Sequence, residues 1–195
     1  MRLNGSEPYG WLNFARTNLI ADMTDDLHTL LNSNAEPDNL LGDLMPALCE
    51  ALDCDRCVLF LRDPHTRRSR ATHAWERKPE YALAREDYGW QEEPPSLVED
   101  DPMFAEALRS PVALYIEDVT TADPSLVNRE YELKYFQHRA LVHAPLYHEG
   151  LMYGILEPCV MEAARLWSSA DREIIAVVQE RIAPVAATYV ARNCR

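Results

Sequence analysis

Two apolar runs separated by a short polar turn, followed at once by a long amphipathic segment, constrain this chain more than any other feature. The first run reads Ala140-Leu141-Val142-His143-Ala144-Pro145-Leu146 and the second Gly150-Leu151-Met152-Tyr153-Gly154-Ile155-Leu156. Runs of this length, rich in β-branched and aliphatic residues and bounded by turn residues, predict two strands joined by a brief loop. Gly154 inside the second run marks a place where another group comes close to the backbone. Beyond them Trp167 and Ser168-Ser169 precede Asp171 and Glu173, acidic residues placed where a helix dipole favours them.

The rest of the chain alternates in the same way. From Tyr9 to Leu31 apolar residues recur at Leu12, Ala15, Leu19, Met23, Leu27 and Leu30 or Leu31, the spacing of a helix with one narrow apolar stripe. After a break at Asn32–Pro37, Asp38 is expected to cap a second helix carrying Leu40, Leu41, Leu44, Leu48 and Leu52, with Pro46 kinking it. Cys57–Arg62 and Ala71–Trp75 predict an antiparallel pair across a turn at Asp63-Pro64-His65-Thr66. A long acidic excursion from Glu76 to Glu106 should hold at most short helices, one of them opening at Pro102. Val112–Ile116 predicts a further strand and Glu130–Gln137 a helix.

The chain has 195 residues, enough for one domain and a helical extension, and a formal net charge of −13. That charge opposes both a nucleic-acid backbone and an anionic lipid surface. No run of about 18 apolar residues is present, and the N-terminus lacks a basic-then-apolar leader. The expected location is cytoplasmic, with no nucleic acid and no membrane as partner. Five cysteines, an odd number in a chain this long, fit free thiols in a reducing compartment.

Taken in order, Asp55–Leu61, Pro111–Asp118, Ala140–Leu146 and Gly150–Leu156 make the chain similar to the GAF domain family over roughly Pro37 to Val190. The resemblance implies an α+β fold. A central antiparallel sheet of five to six strands would carry the N- and C-terminal helices on one face and pocket loops on the other. Residues 1–35 would then be a helical extension and 36–195 the GAF domain. The tail through Cys159, Arg165 and Trp167 resembles most the phytochrome and cyanobacteriochrome branch. Those proteins attach a linear tetrapyrrole to a cysteine on the helix about a dozen residues before the position of Ala140. Here Asn128-Arg129 stand there, and no cysteine lies between Cys57 and Cys159. The resemblance thus implies the pocket without covalent attachment. The Asn-Lys-Phe-Asp-Glu signature of cyclic-nucleotide GAF domains is not matched.

Tyr88, Trp90 and Tyr115 are candidate aromatic walls for a flat ligand, with Asp118 and His143 as polar contacts. Against this, each aromatic also suits the core. His138 and His148 share a strand parity opposite to that of His143, which speaks against a three-histidine metal site and leaves those two as strand-end surface residues. Cys54-Asp55-Arg56-Cys57 is a C-x-x-C with a redox reading, but both positions also suit small buried hydrophobes. No catalytic triad, paired-carboxylate motif or phosphate loop stands out among only six glycines. The chain is therefore expected to be a non-enzymatic sensor that binds a tetrapyrrole or another small aromatic molecule noncovalently. It would signal through its terminal helices to a separate protein such as a kinase, as a homodimer. Two alternatives stand beside this: a dimerisation or docking module whose pocket is filled by Tyr115, Met152 and Tyr153, and a thiol redox sensor using Cys54 and Cys57.

Overall fold

The computed structural model describes residues 25–83 and 89–194. Helices α1 (Asp25–Leu31) and α2 (Pro37–Ala51) lead into strands β1 (Arg56–Asp63) and β2 (Arg68–Glu76). A 3-10 turn at Pro79–Tyr81, strand β3 (Gln91–Glu92) and helices α3 (Leu97–Asp100) and α4 (Pro102–Ala107) follow. Then come β4 (Leu114–Ile116), α5 (Arg129–Tyr135), β5 (Ala140–His148), β6 (Leu151–Val160) and α6 (Ser169–Asn193). The six strands form one sheet in the order β3-β2-β1-β6-β5-β4, each pair antiparallel. This is the α+β architecture expected from the sequence. The helical stripe expected from Tyr9 to Leu31 lies outside the described residues up to position 24; its last part is α1, with Leu27 buried.

Strand alternation divides the sheet into two unlike faces. Leu59 and Leu61 of β1, Val142, Ala144 and Leu146 of β5 and Leu156 of β6 share one buried cluster with Leu41, Leu44 and Leu48 of α2 and Ile175, Val178 and Ile182 of α6. Full burial of each such side chain contributes about 1.5–3 kcal/mol, so this layer carries the fold. The other face presents Arg56, Phe60 and Arg62 of β1 beside Ile155 and Glu157 of β6, because Arg56 pairs with Cys159, Val58 with Glu157 and Phe60 with Ile155. A β-bulge between β5 and β6, where Leu146 pairs with Gly154 but Tyr147 with Met152, leaves Tyr153 as the extra residue. It switches the parity of β6. Met152 packs on the same side as Ile155, while Tyr153 turns to the helix-covered core.

Gly154 is where the close approach falls: a Cβ there would collide with the carbonyl oxygen of Phe60 and lie 2.9 Å from the Leu61 side chain. Ser168 caps α6 and forms a capping box with Asp171, satisfying two otherwise orphaned backbone donors. Helix α2 begins two residues earlier than expected. Glu36 occupies its N-cap without a side-chain bond and Pro37 sets the first turn, so Asp38 is not the cap; it reaches His73 of β2 at 3.2 Å instead. Neither Pro46 nor Pro184 ends its helix. Helix α6 is long and apolar enough by length and composition to cross a membrane, yet Ile174, Ile175, Val178 and Ile182 are spent on the core beneath it.

Candidate functional site

The later part of the acidic excursion, from Glu93 to Glu106, folds over the free face of the sheet. Arg62, buried on β1, holds Glu93 through hydrogen bonds of 2.6 and 3.2 Å and so fastens the start of the cover. Asp101 then caps α4 by accepting from the Phe104 N–H at 3.0 Å, which turns Met103 and Phe104 inward. Helix α5, capped by Asn128, closes the remaining side with Tyr131 and Glu132, and Phe136 follows it. Between cover and sheet lies a cavity of about 250 Å³. Aromatic Phe60, Phe104, Tyr131 and Phe136, with Met103, Met152 and Ile155, form its apolar wall; Asp101, Glu132, His143 and Glu157, with Arg62 and Ser69, provide its charged and hydrogen-bonding groups.

A buried polar chain makes up the floor. His143 on β5 and Glu157 on β6 are both almost fully buried, and Nδ1 of His143 lies 3.3 Å from Oε2 of Glu157. His138 faces the other oxygen of the same carboxylate, with Nδ1 3.6 Å from Oε1, while its Nε2 is 2.7 Å from Oε2 of Glu132. Arg56, 2% exposed, adds a positive charge below and donates to the carbonyls of Tyr81 and Phe136 at 2.9 Å each. Burial alone would lower the His138 pKa, but hydrogen bonds with Cys159 and Glu132 and the charge of Glu157 outweigh it and raise it to about 10. For Glu157 burial pushes upward and is overridden by the His143 hydrogen bond and the neighbouring charges of His138 and Arg56, so its pKa falls. His138 is thus a charged strut between two carboxylates. It is not the strand-end surface residue expected, because it precedes the first residue of β5 and strand alternation does not govern it.

Nε2 of His143 has no hydrogen-bond partner among the described residues. A carboxylate can only accept, so the proton of the His143–Glu157 bond sits on Nδ1, and in the neutral imidazole Nε2 is then a lone-pair acceptor. It stands at the wall of the cavity.

Of the described residues expected to form a site, His143 alone lines this cavity. Tyr115 and Asp118 line a separate open groove beside β4, together with Arg165 and Leu166. There the Arg172 guanidinium covers the Tyr115 ring at 4.0 Å, and Arg139 holds Asp118 at 2.6 and 2.8 Å, keeping its carboxyl far below the usual carboxylate range. Trp90 is buried in the main core cluster, and its carbonyl accepts from Arg68. Tyr88 lies outside the described residues. Cys54 donates to Cys49 at 3.0 Å rather than meeting Cys57, and burial raises the pKa of both Cys54 and Cys57. The bulky residues expected to fill the pocket divide: Met152 lines the cavity, whereas Tyr115 and Tyr153 pack against the helix-side core. Among the described residues no group of three or more His, Cys, Asp and Glu is arranged to hold a metal ion.

Sequence reasoning missed Asp101, Glu132, Glu157 and the Arg62–Glu93 pair. Glu157 had a visible signal, a carboxylate between Leu156 and Pro158 in an otherwise apolar strand; such a residue is expensive there without a partner.

A family model described as GAF domain matches residues 36–184. No protein of curated function matches the chain. Among solved structures, the GAF domain of a phosphoenolpyruvate-protein phosphotransferase from Coxiella burnetii superposes with a TM-score of 0.65 at 15% identity, over 92% of this chain and 98% of that one. The phycoerythrobilin-bound GAF domain of a cyanobacterial phytochrome gives 0.64 at 14% identity, over 91% and 98%. GAF3 of Slr1393 from Synechocystis gives 0.61 at 20% identity, over 80% and 98%. At these identities the likeness is one of fold.

Proposed function

This chain belongs to the GAF domain family, a family of sensory and ligand-binding domains, and from that premise we propose that it is a non-enzymatic cytoplasmic sensor. It binds a compact small molecule noncovalently in the cavity beneath α3, α4 and α5 and reports occupancy to a separate protein, such as a kinase, through its terminal helices as a homodimer. The observation that carries this reading is the buried, unpartnered Nε2 of His143 at the wall of an aromatic-lined cavity. A buried polar atom without a partner costs about 1–3 kcal/mol, and a ligand that supplies one removes the penalty.

Size narrows the guest. At about 250 Å³ the cavity is below the roughly 300–1,000 Å³ of pockets for drug-sized ligands. A small aromatic molecule suits it as it stands; a linear tetrapyrrole requires the cover to swing outward. The cavity wall carries no cysteine among the described residues, which agrees with noncovalent binding.

Mass spectrometry of whatever is released when the purified protein is denatured, with a thermal-shift screen of small aromatic molecules, tests this. A recovered compound that raises the melting temperature of the emptied protein supports the reading. A protein that carries nothing and responds to nothing favours the second one, a dimerisation or docking module, for which the inward packing of Met103, Phe104 and Met152 speaks. Sedimentation of the same sample shows whether the dimer stands in either case.

A further inference from the structure

We propose that the molecule taken up by this cavity is a flat organic cation rich in N–H donors, in chemical class an amidine or a protonated aminoheterocycle. The inference rests on the cavity being a ligand site and adds the charge and hydrogen-bonding character of the guest.

The polar wall is one-sided. Arg62 is the basic side chain lining the cavity, and it is spent on Glu93. What remains beside Ser69 and Tyr131 is Asp101, Glu132, Glu157 and the lone pair on Nε2 of His143. Carboxylates and that imidazole nitrogen all accept hydrogen bonds. A guest that fills them must donate.

Charge leads to the same class. Glu132 has the charge of His138, and Glu157 has His138 with Arg56 nearby and a hydrogen bond from His143. Asp101 has no basic side chain within ion-pairing distance among the described residues, although it is 8% exposed and donates nothing itself. Burial pushes its pKa upward against the hydrogen bond from the Phe104 N–H. A cation in the cavity supplies the missing counter-charge, and the faces of Phe60, Phe104, Tyr131 and Phe136 favour a flat, positively charged body. A phosphate or carboxylate guest would instead bring like charge against the carboxylates of Asp101, Glu132 and Glu157, which disfavours it.

Three probes of one shape and different charge decide the matter: benzamidine, benzamide and benzoate, titrated into the full chain by calorimetry while the imidazole resonances of His143 are followed by NMR. Benzamidine is expected to bind and to shift the His143 signals, with benzamide at least about tenfold weaker and benzoate without effect. Asp101→Asn, which keeps an acceptor for the Phe104 N–H, should weaken benzamidine about tenfold and leave benzamide unchanged. Equal or tighter binding of benzamide or benzoate overturns the cationic class while leaving the cavity a ligand site. No perturbation of His143 by any probe overturns the inference; a blank thermal-shift screen alongside it removes the ligand-site reading as well. The probe series on the unaltered chain reads out even if the variant does not fold.

Discussion

Arg62 and Glu93 are joined by two hydrogen bonds, 2.6 and 3.2 Å long, with the Glu93 side chain 1% exposed. They tie the central sheet to the segment that roofs the cavity. Glu93→Ala leaves the guanidinium buried without its counter-charge, a situation that costs about 3 kcal/mol or more. Urea denaturation should show that loss, and hydrogen exchange should show it concentrated in α3 and α4. Unchanged exchange in those helices would mean that the pair does not fasten the roof.

Gly154→Ala places a methyl group against the Phe60 carbonyl and the Leu61 side chain in the pairing of β1 with β6. Backbone cannot yield as a flexible side chain does, so the expected destabilisation is about 2 kcal/mol. A melting temperature equal to that of the parent chain would contradict the close approach.

Stability should depend on pH through the floor of the cavity. The folded pKa of His138 is raised from 6.5 to about 10, so its contribution is complete below about 6.5 and is lost as the pH climbs through about 10. Glu157 is shifted the opposite way, downward from 4.5; its contribution is present above that value and is lost as the pH falls through the folded pKa. Unfolding free energies measured from pH 5 to 10 should therefore decline on the alkaline side. In His138→Gln that decline should become distinctly shallower, and an unaltered slope would show that the imidazolium is not the titrating group.

Cys49, Cys54, Cys57 and Cys159 are buried, and Cys194 is partly exposed. A thiol must ionise to react, and burial opposes ionisation. Iodoacetamide at pH 8 should label Cys194 first and reach the other four only on unfolding. Rapid native labelling of Cys54 or Cys57, diminished by Cys54→Ser, would restore the redox reading.

The layer of the fold that rests on periodicity was legible in the sequence. The stripes Leu40–Leu48 and Ile174–Ile182 and the paired runs on either side of Gly150 announce helices over an antiparallel sheet. The site was legible only in part. His143 falls where a strand residue of its parity should, but the parity of β6 changes at the Tyr153 bulge, and His138 stands ahead of its strand. Asp101 and Glu132 come from short helices in segments whose composition looks merely solvated. What brings them to Glu157 is tertiary folding of the cover, which no local spacing encodes. Tyr115 and Asp118 show the converse: they suit a ligand wall chemically, yet β4 lies at the sheet edge and directs them to a different groove.

Strand β5 is a plate with two working sides. His143 lines the cavity, while its immediate neighbours Val142 and Ala144 are wedged beneath the helix layer. Three consecutive residues of one backbone cannot be displaced independently, and strand pairing with β6 stiffens them further. A displacement of the β5 backbone at His143 would therefore move the seat of the C-terminal helix with it.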